Sequence, residues 1–277
     1  MRRCLGAAAF FAICGLPIFA QAKQGKQPPL PIRIVKIREN VFNLEGEGGN
    51  STVVLTSAGV ILVDCKFERS HDEVVERVKS LSDKPIRYLF ATHSHADHSG
   101  GSAKMAAMGV AVISSVRTRE NMVRTNQTPG PEVLFKEEMQ LNLGGTVALA
   151  HQWRGHTNGD VTVFFPAERV IVMGDLMTIG LPAFASYADG GNWTDLGRSL
   201  DEIAGLDFDF AVPGHGPVST KADFLAYRDK LTAMRARIRE LVRAKKTQDE
   251  VAAILKEEFQ WDFPAANSLP AVMQELR

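Results

Sequence analysis

The run Thr92-His93-Ser94-His95-Ala96-Asp97-His98-Ser99-Gly100-Gly101 constrains this chain more than any other segment. It places three of the seven histidines and one aspartate within six residues. The apolar stretch Tyr88–Ala91 before it predicts a short strand running straight into His93. In an extended backbone, residues two apart point to the same side, so the His93 and His95 imidazoles project together. Asp97 and His98 are adjacent and diverge as the chain turns toward the next helix. Gly100 and Gly101 let the start of that helix pack close against the loop. One short loop can thereby serve two neighbouring metal ions, and imidazole with carboxylate suits zinc.

The rest of the chain supplies a scaffold for such a loop. Its 277 residues are 45% hydrophobic and long enough to bury one full core. Thirty-two basic residues balance thirty-two acidic ones, which excludes the broad field that nucleic acid or an anionic membrane would require and points to a small-molecule partner. Residues 1–22 differ in character from the rest of the chain: Arg2 and Arg3, an apolar stretch from Leu5 to Phe19, then Ala20-Gln21-Ala22. This is the form of a signal peptide cleaved after Ala22, and the stretch is too short for a spanning helix. The expected organisation is a signal peptide over 1–22, a flexible Pro-rich leader over 23–31 and one domain over 32–277, with a periplasmic or secreted location and no stable membrane insertion after cleavage. Removal of Cys4 and Cys14 leaves Cys65 alone, so the mature protein has no internal disulfide.

Strand patterns occur at Ile32–Ile37, Val41–Leu44, Thr52–Thr56 and Val60–Val63, punctuated by Gly46–Asn50 and Ser57–Gly59, and suggest antiparallel hairpins. An amphipathic helix is predicted over His71–Leu81. The second half repeats the theme, with strands at Met139–Leu143, Thr146–Ala150, Val161–Phe165 and Val170–Met173. A helix at Leu196–Ala204, a strand at Phe210–Val212 and helices over Ala222–Ala244 and Gln248–Phe259 complete the pattern. Two sheet-forming halves, each followed by helices, suggest two packed sheets with helices outside. The basic side of the long helix (Arg235, Arg239, Arg243, with Lys245 and Lys246) is expected to be solvated.

The histidine run resembles the metallo-β-lactamase superfamily, whose signature His-x-His-x-Asp-His is matched at His93, His95, Asp97 and His98. Later elements are similar too: Gly155-His156-Thr157, Met173-Gly174-Asp175 and Pro213-Gly214-His215-Gly216, each after a predicted strand. The resemblance implies an α/β fold, an αββα sandwich of two mixed β-sheets with helices on the outer faces. It implies two zinc ions per chain, one on His93, His95, His156 and Asp175 and the other on Asp97, His98, His215 and the same Asp175, which bridges them. Asp64, closing the apolar run Val60–Val63, resembles the buried Asp that orients the histidine loop from behind the ligands. Asp97 would also orient a metal-bound hydroxide that attacks the carbonyl of an ester, lactone, thioester or amide.

His71 is expected at a surface or helix cap, His151 in a structural role, and Cys65 as a small buried hydrophobe. True β-lactamases of this family carry Cys at the Asp175 position or no bridging protein ligand there. The hairpin Glu45-Gly46-Glu47-Gly48-Gly49-Asn50 also lacks an apolar tip, and only Arg198 between Asp175 and His215 could clamp a carboxylate. Export, in contrast, would place the enzyme where β-lactams act. Hydrolysis of β-lactams, oxygen chemistry on a single iron as in persulfide dioxygenases, and a non-catalytic periplasmic metal-binding role remain as alternatives.

Overall fold

The computed structural model describes residues 30–128, 130–261 and 268–277. The expected signal peptide, and the expected leader up to residue 29, lie outside the described residues. Among the described residues no helix is long and apolar enough to cross a membrane.

Four strands, β1 (Arg33–Lys36), β2 (Val41–Glu45), β3 (Ser51–Thr56) and β4 (Gly59–Val63), pair antiparallel in sequence, as the Gly-punctuated pattern predicts. Helix α1 (His71–Leu81) then crosses over to β5 (Ile86–Phe90), which joins β4 in parallel. Short helices α2 (Ala96–Ser99) and α3 (Ser102–Ala107) lead to β6 (Ala111–Ser115), and α4 (Val116–Arg124) leads to β7 (Val133–Phe135), both strands again parallel. The sheet therefore runs in the order β1 to β7 and is mixed.

The second sheet has the order β13-β12-β11-β10-β9-β8, from β8 (Glu138–Leu143), β9 (Thr146–Gln152), β10 (Val161–Phe165), β11 (Val170–Thr178), β12 (Phe210–His215) and β13 (Ser219–Thr220). Only β11 and β12 are parallel, joined through α5 (Trp193–Ile203). Helices α6 (Lys221–Arg243), α7 (Gln248–Phe259) and α8 (Leu269–Glu275) come last. α6 and α7 each begin with a capping box, Thr220 with Asp223 and Thr247 with Glu250.

The alternation of side chains along each strand shows why the layers stack. In β4 every residue is buried, yet Ile61 and Val63 enter the core between the sheets while Val60 and Leu62 enter the core under α1 and α3. β11 divides likewise: Val170 and Val172 face the first sheet, and Ile171 and Met173 face α5 and α6. Helices thus cover both outer faces, and the order of layers is the expected αββα.

Three local expectations differ. β11 does not stop at Met173; Gly174 takes φ +52, the register to β12 shifts, and the strand continues to Thr178 carrying Asp175 inside it. His71 caps the turn before α1, its amide donating to the Glu68 carbonyl, but it is 6% exposed and so not on the surface, because the first turn of α1 packs inward. Arg235 is half-buried and occupies the space that a Cβ on Gly197 of α5 would need, so it does not belong to a solvated face.

Candidate metal centre

The centre forms where β4, β5 and β12 end, where β11 shifts register at Gly174, and where the loop between β9 and β10 turns. Asp64 comes directly after β4, in the left-handed region at φ 61, which costs on the order of 1 kcal/mol and persists where surroundings over-determine it. The surroundings here do so. The Asp64 amide donates to the Phe90 carbonyl (2.8 Å), and its carboxylate accepts from the Thr92 amide (2.8 Å), the Thr92 hydroxyl (2.7 Å) and His98 Nδ1 (2.8 Å). One buried carboxylate therefore holds both ends of the histidine loop.

The outer partners of the imidazoles decide where their protons sit. Thr92 donates its hydroxyl hydrogen to Asp64, so His93 Nδ1–H donates to Thr92 Oγ1 (3.1 Å). His95 donates through Nε2 to Asp189 (3.0 Å), His98 through Nδ1 to Asp64, and His156 through Nδ1 to the Phe184 carbonyl (3.0 Å). The remaining nitrogens, His93 Nε2, His95 Nδ1, His98 Nε2 and His156 Nε2, thus turn bare lone pairs inward. Burial reinforces this by pushing His156 down to about 4 and His93 well below its usual value, keeping both neutral.

The inward nitrogens lie close together. His95 Nδ1 is 3.1 Å from His93 Nε2 and 2.9 Å from His156 Nε2, and Asp175 Oδ2 lies 3.5 Å from His156 Nε2 and 3.9 Å from His93 Nε2. Four ligands about 2 Å from a tetrahedral ion are separated by roughly 3.3 Å, so these atoms fit one ion. The second set has the same spacing: His98 Nε2 to His215 Nε2 is 3.3 Å, and Asp97 Oδ2 lies 3.2 Å from His215 Nε2 and 3.7 Å from His98 Nε2. Asp175 Oδ1 faces this second set, 3.2 Å from His98 Nε2 and 3.6 Å from His215 Nε2. That oxygen is buried and accepts no hydrogen bond. Burial pulls His95 and His98 down, but the carboxylates facing them outweigh it and hold both above the usual imidazole value. The inward atoms therefore call for positive charge, as protons or as metal, and their spacing fits two divalent ions sharing one carboxylate.

All seven residues singled out as ligands therefore converge, in the two groups expected of them. His151 stays apart, on β9, its ring 4.0 Å from that of Trp153. Cys65 is buried and burial pushes its thiol up to about 12, so it is inert as a nucleophile. Arg198 is exposed and paired with Asp195 on its own helix.

Several contributors were not visible in the sequence. Asp189 braces His95 and is held in turn by Ser186 (2.5 Å) and by Arg124. Asp160 accepts from the Thr157 amide and hydroxyl and shapes the loop that presents His156; burial pushes its carboxyl up to about 7. Lys66 is fully buried, donates to the Gly49 carbonyl (2.6 Å), and is pushed down to about 8 by burial. A Cβ on Gly49 would lie 2.1 Å from the His98 ring and one on Gly214 would meet Asp175 Oδ1, so both positions must lack a side chain. Glycine repeats within Gly46–Asn50 and Pro213–Gly216 were a signal of turns, but not of which side chain comes so near.

The chain is similar in sequence and in fold to known proteins. The family described as Metallo-beta-lactamase superfamily matches residues 44–215, a span that includes Asp64 and all seven candidate ligands. A metallo-beta-lactamase type 2 of Elizabethkingia meningoseptica is 26% identical over 208 residues, covering 69% of this chain and 81% of that protein. The 2,4-dinitroanisole O-demethylase subunit alpha of Nocardioides sp. (strain JS1661) is 26% identical over 193 residues, 68% of this chain and 56% of that one. Among solved structures, a metallo-beta-lactamase from Pontibacter korlensis superposes with a TM-score of 0.66 at 20% identity, covering 73% of this chain and 99% of its own. The sec-alkylsulfatase Pisa1 from Pseudomonas sp. gives 0.70 at 16%, covering 88% and 50%. At such identities the structural likeness speaks for the fold alone.

Proposed function

The chain belongs to the metallo-beta-lactamase superfamily and is a metal-dependent hydrolase; from that premise we propose an exported enzyme holding two zinc ions and cleaving the carbonyl of an ester, lactone, thioester or amide. The observation that carries this reading is Asp175, whose two oxygens face two different ligand sets with one of them otherwise unsatisfied. His93, His95 and His156 would hold one ion, Asp97, His98 and His215 the other, and Asp175 both. Two zinc ions so placed supply an acidified water and polarise a carbonyl oxygen.

The protein's own groups account for the rest. Thr92, Asp64, Asp189 and the Phe184 carbonyl fix each imidazole so that its lone pair is presented without reorganisation. Asp97 Oδ2 belongs to a half-buried side chain beside His215, where it can accept a hydrogen bond from the attacking water and orient it. No Ser or Cys nucleophile is required, and Cys65 is unavailable as one. The balanced charge of the chain favours a small-molecule substrate over nucleic acid.

A second reading, hydrolysis of β-lactams, is favoured by relatives that bear that name. The loop over Gly46–Asn50 argues against it. This loop is short and held down: Glu47 binds Arg69 and Ser70, Gly49 donates to the Asp97 carbonyl, and the Asn50 side chain donates to the Pro213 and Gly216 carbonyls. It presents no apolar tip to a bicyclic ring.

The test is to express the full chain, recover it from the periplasm and assay the zinc-loaded protein against ester, lactone, thioester and β-lactam panels. Mass spectrometry of that material is expected to give a chain beginning at Lys23, and turnover is expected on carbonyl esters or lactones. An intact Met1 on cytoplasmic protein overturns the export, and turnover confined to β-lactams establishes the second reading instead.

A further inference from the structure

Beyond the ligands, β11 and β12 lead into a cavity of about 700 Å³, the size of pockets that enclose small molecules. Its inner wall begins with Thr178 and Ile179, three and four residues past Asp175, and with Pro217 and Val218, two and three past His215. The walls are joined to the metal centre by the chain itself: Thr178 pairs with His215 in the sheet, and the Ile179 amide donates to the His215 carbonyl (2.9 Å). Gly216 takes φ +91, and a Cβ there would lie 2.2 Å from the Ile179 carbonyl oxygen, so the two strands meet as closely as backbone allows. α6 and the end of α7 close the far side.

The lining is apolar where it matters for a chain-like ligand. Leu181, Pro182, Leu231, Met234, Phe259 and Trp261 form its apolar walls. Of the two charged side chains, Asp223 is committed to the capping box of α6 and Lys230 is exposed. Leu181 is 49% exposed at the rim of the cavity. The other polar groups of the lining, Thr178, Ser219, Tyr227 and Gln260, are uncharged, and among them only the Tyr227 hydroxyl is buried without a hydrogen-bond partner, so an alkyl chain would replace water against the apolar walls. We propose that this cavity receives the acyl or alkyl chain of the substrate, so that the enzyme acts on carbonyl esters or lactones bearing an apolar chain of medium length. The inference rests on the carbonyl-hydrolase reading above and adds to it the class of substrate.

The full-chain zinc enzyme, assayed with p-nitrophenyl esters from acetate to decanoate, is expected to show kcat/KM rising about fourfold for each methylene that enters the cavity, the equivalent of about 0.8 kcal/mol. Ala226→Trp, at an exposed position of α6 in the lining, should leave acetate turnover unchanged and reduce decanoate to the level of butyrate. Binding of decanoate and butyrate to the same protein, monitored by calorimetry, gives a readout independent of turnover, with decanoate expected to bind and butyrate not. Esters cleaved with no dependence on chain length, in wild type and variant alike, overturn this inference and leave the hydrolase reading standing. Decanoate binding that Ala226→Trp abolishes, with no ester cleaved, keeps the cavity assignment and overturns the ester reading. Absence of both overturns the two together.

Discussion

His93, His95 and His156 are each braced from behind, by Thr92 with Asp64, by Asp189 and by the Phe184 carbonyl, whereas among the described residues of the second set His98 alone has such a brace. Exposure shows the same division in part. His93 and His156 keep 1% and 3% of their side-chain surface, while Asp97 and His215 keep 24% and 21%. Two ligands cross the division: His98 of the second set is fully buried, and His95 of the first keeps 29% but is held by a carboxylate that is itself paired with Arg124. A ligand fixed by its neighbours loses little freedom when the ion arrives, and a buried one has no water to displace the ion. The first set is therefore expected to be the tighter site for an ion, and the second the open one, where water and substrate would exchange.

Asp175→Ala should have the largest effect, because it removes a ligand from both sets and the charge that offsets two adjacent dications. Turnover on the substrate found by panel screening is expected to fall on the order of 100-fold or more, with one zinc retained on the three braced histidines. Elemental analysis beside the assay checks it; two zinc ions and full turnover in the variant would show that Asp175 does not bridge. Asp64→Asn ranks second. Asn tolerates the left-handed backbone at this position, so the variant isolates the lost acceptor for Thr92 and His98. Because Asp64 braces one histidine in each set, zinc affinity should weaken roughly 10–100-fold in both, measured by competition with a chromophoric chelator. A loss confined to one set would mean that Thr92 orients His93 without help. Asp189→Asn gives the smallest change and the sharpest comparison: the first set should weaken about tenfold while the second is unaffected. Weakening of the second set instead would reverse the ranking of the two sites.

The division between braced and open ligands also marks what could be read in advance. His93, His95, Asp97 and His98 were legible because their chemistry is local, set by strand alternation and a turn within six residues. His156, Asp175 and His215 came from family resemblance, each carried by a short motif after an apolar strand. The braces were harder. Asp189 lies 94 residues from His95, in a segment with no periodicity, and only the folded chain brings them together. Glu275 is a similar case: its carboxylate accepts from Tyr187, from the Trp193 and Thr194 amides and from the Thr194 hydroxyl, capping α5 and fixing the loop of Asp189 from 81 to 88 residues away. The sandwich itself was evident from the two sheet-forming halves. The strands β6 and β7 escaped notice because each is short, β6 ends in two serines, and their pairing is parallel and thus remote in sequence. The continuation of β11 past Gly174 depends on its partner β12, which no local pattern reports.

Zinc titration of the metal-free protein tests the central claim most directly, because both the number of ions and their ranking derive from the geometry of the two sets. With calorimetry and elemental analysis on the same sample, two zinc ions per chain are expected, bound in two phases, the first tighter and lost last to a chelator. Saturation at a single zinc, or protein purified with one stoichiometric iron and little zinc, would contradict the dinuclear site and move the chemistry from hydrolysis toward oxygen.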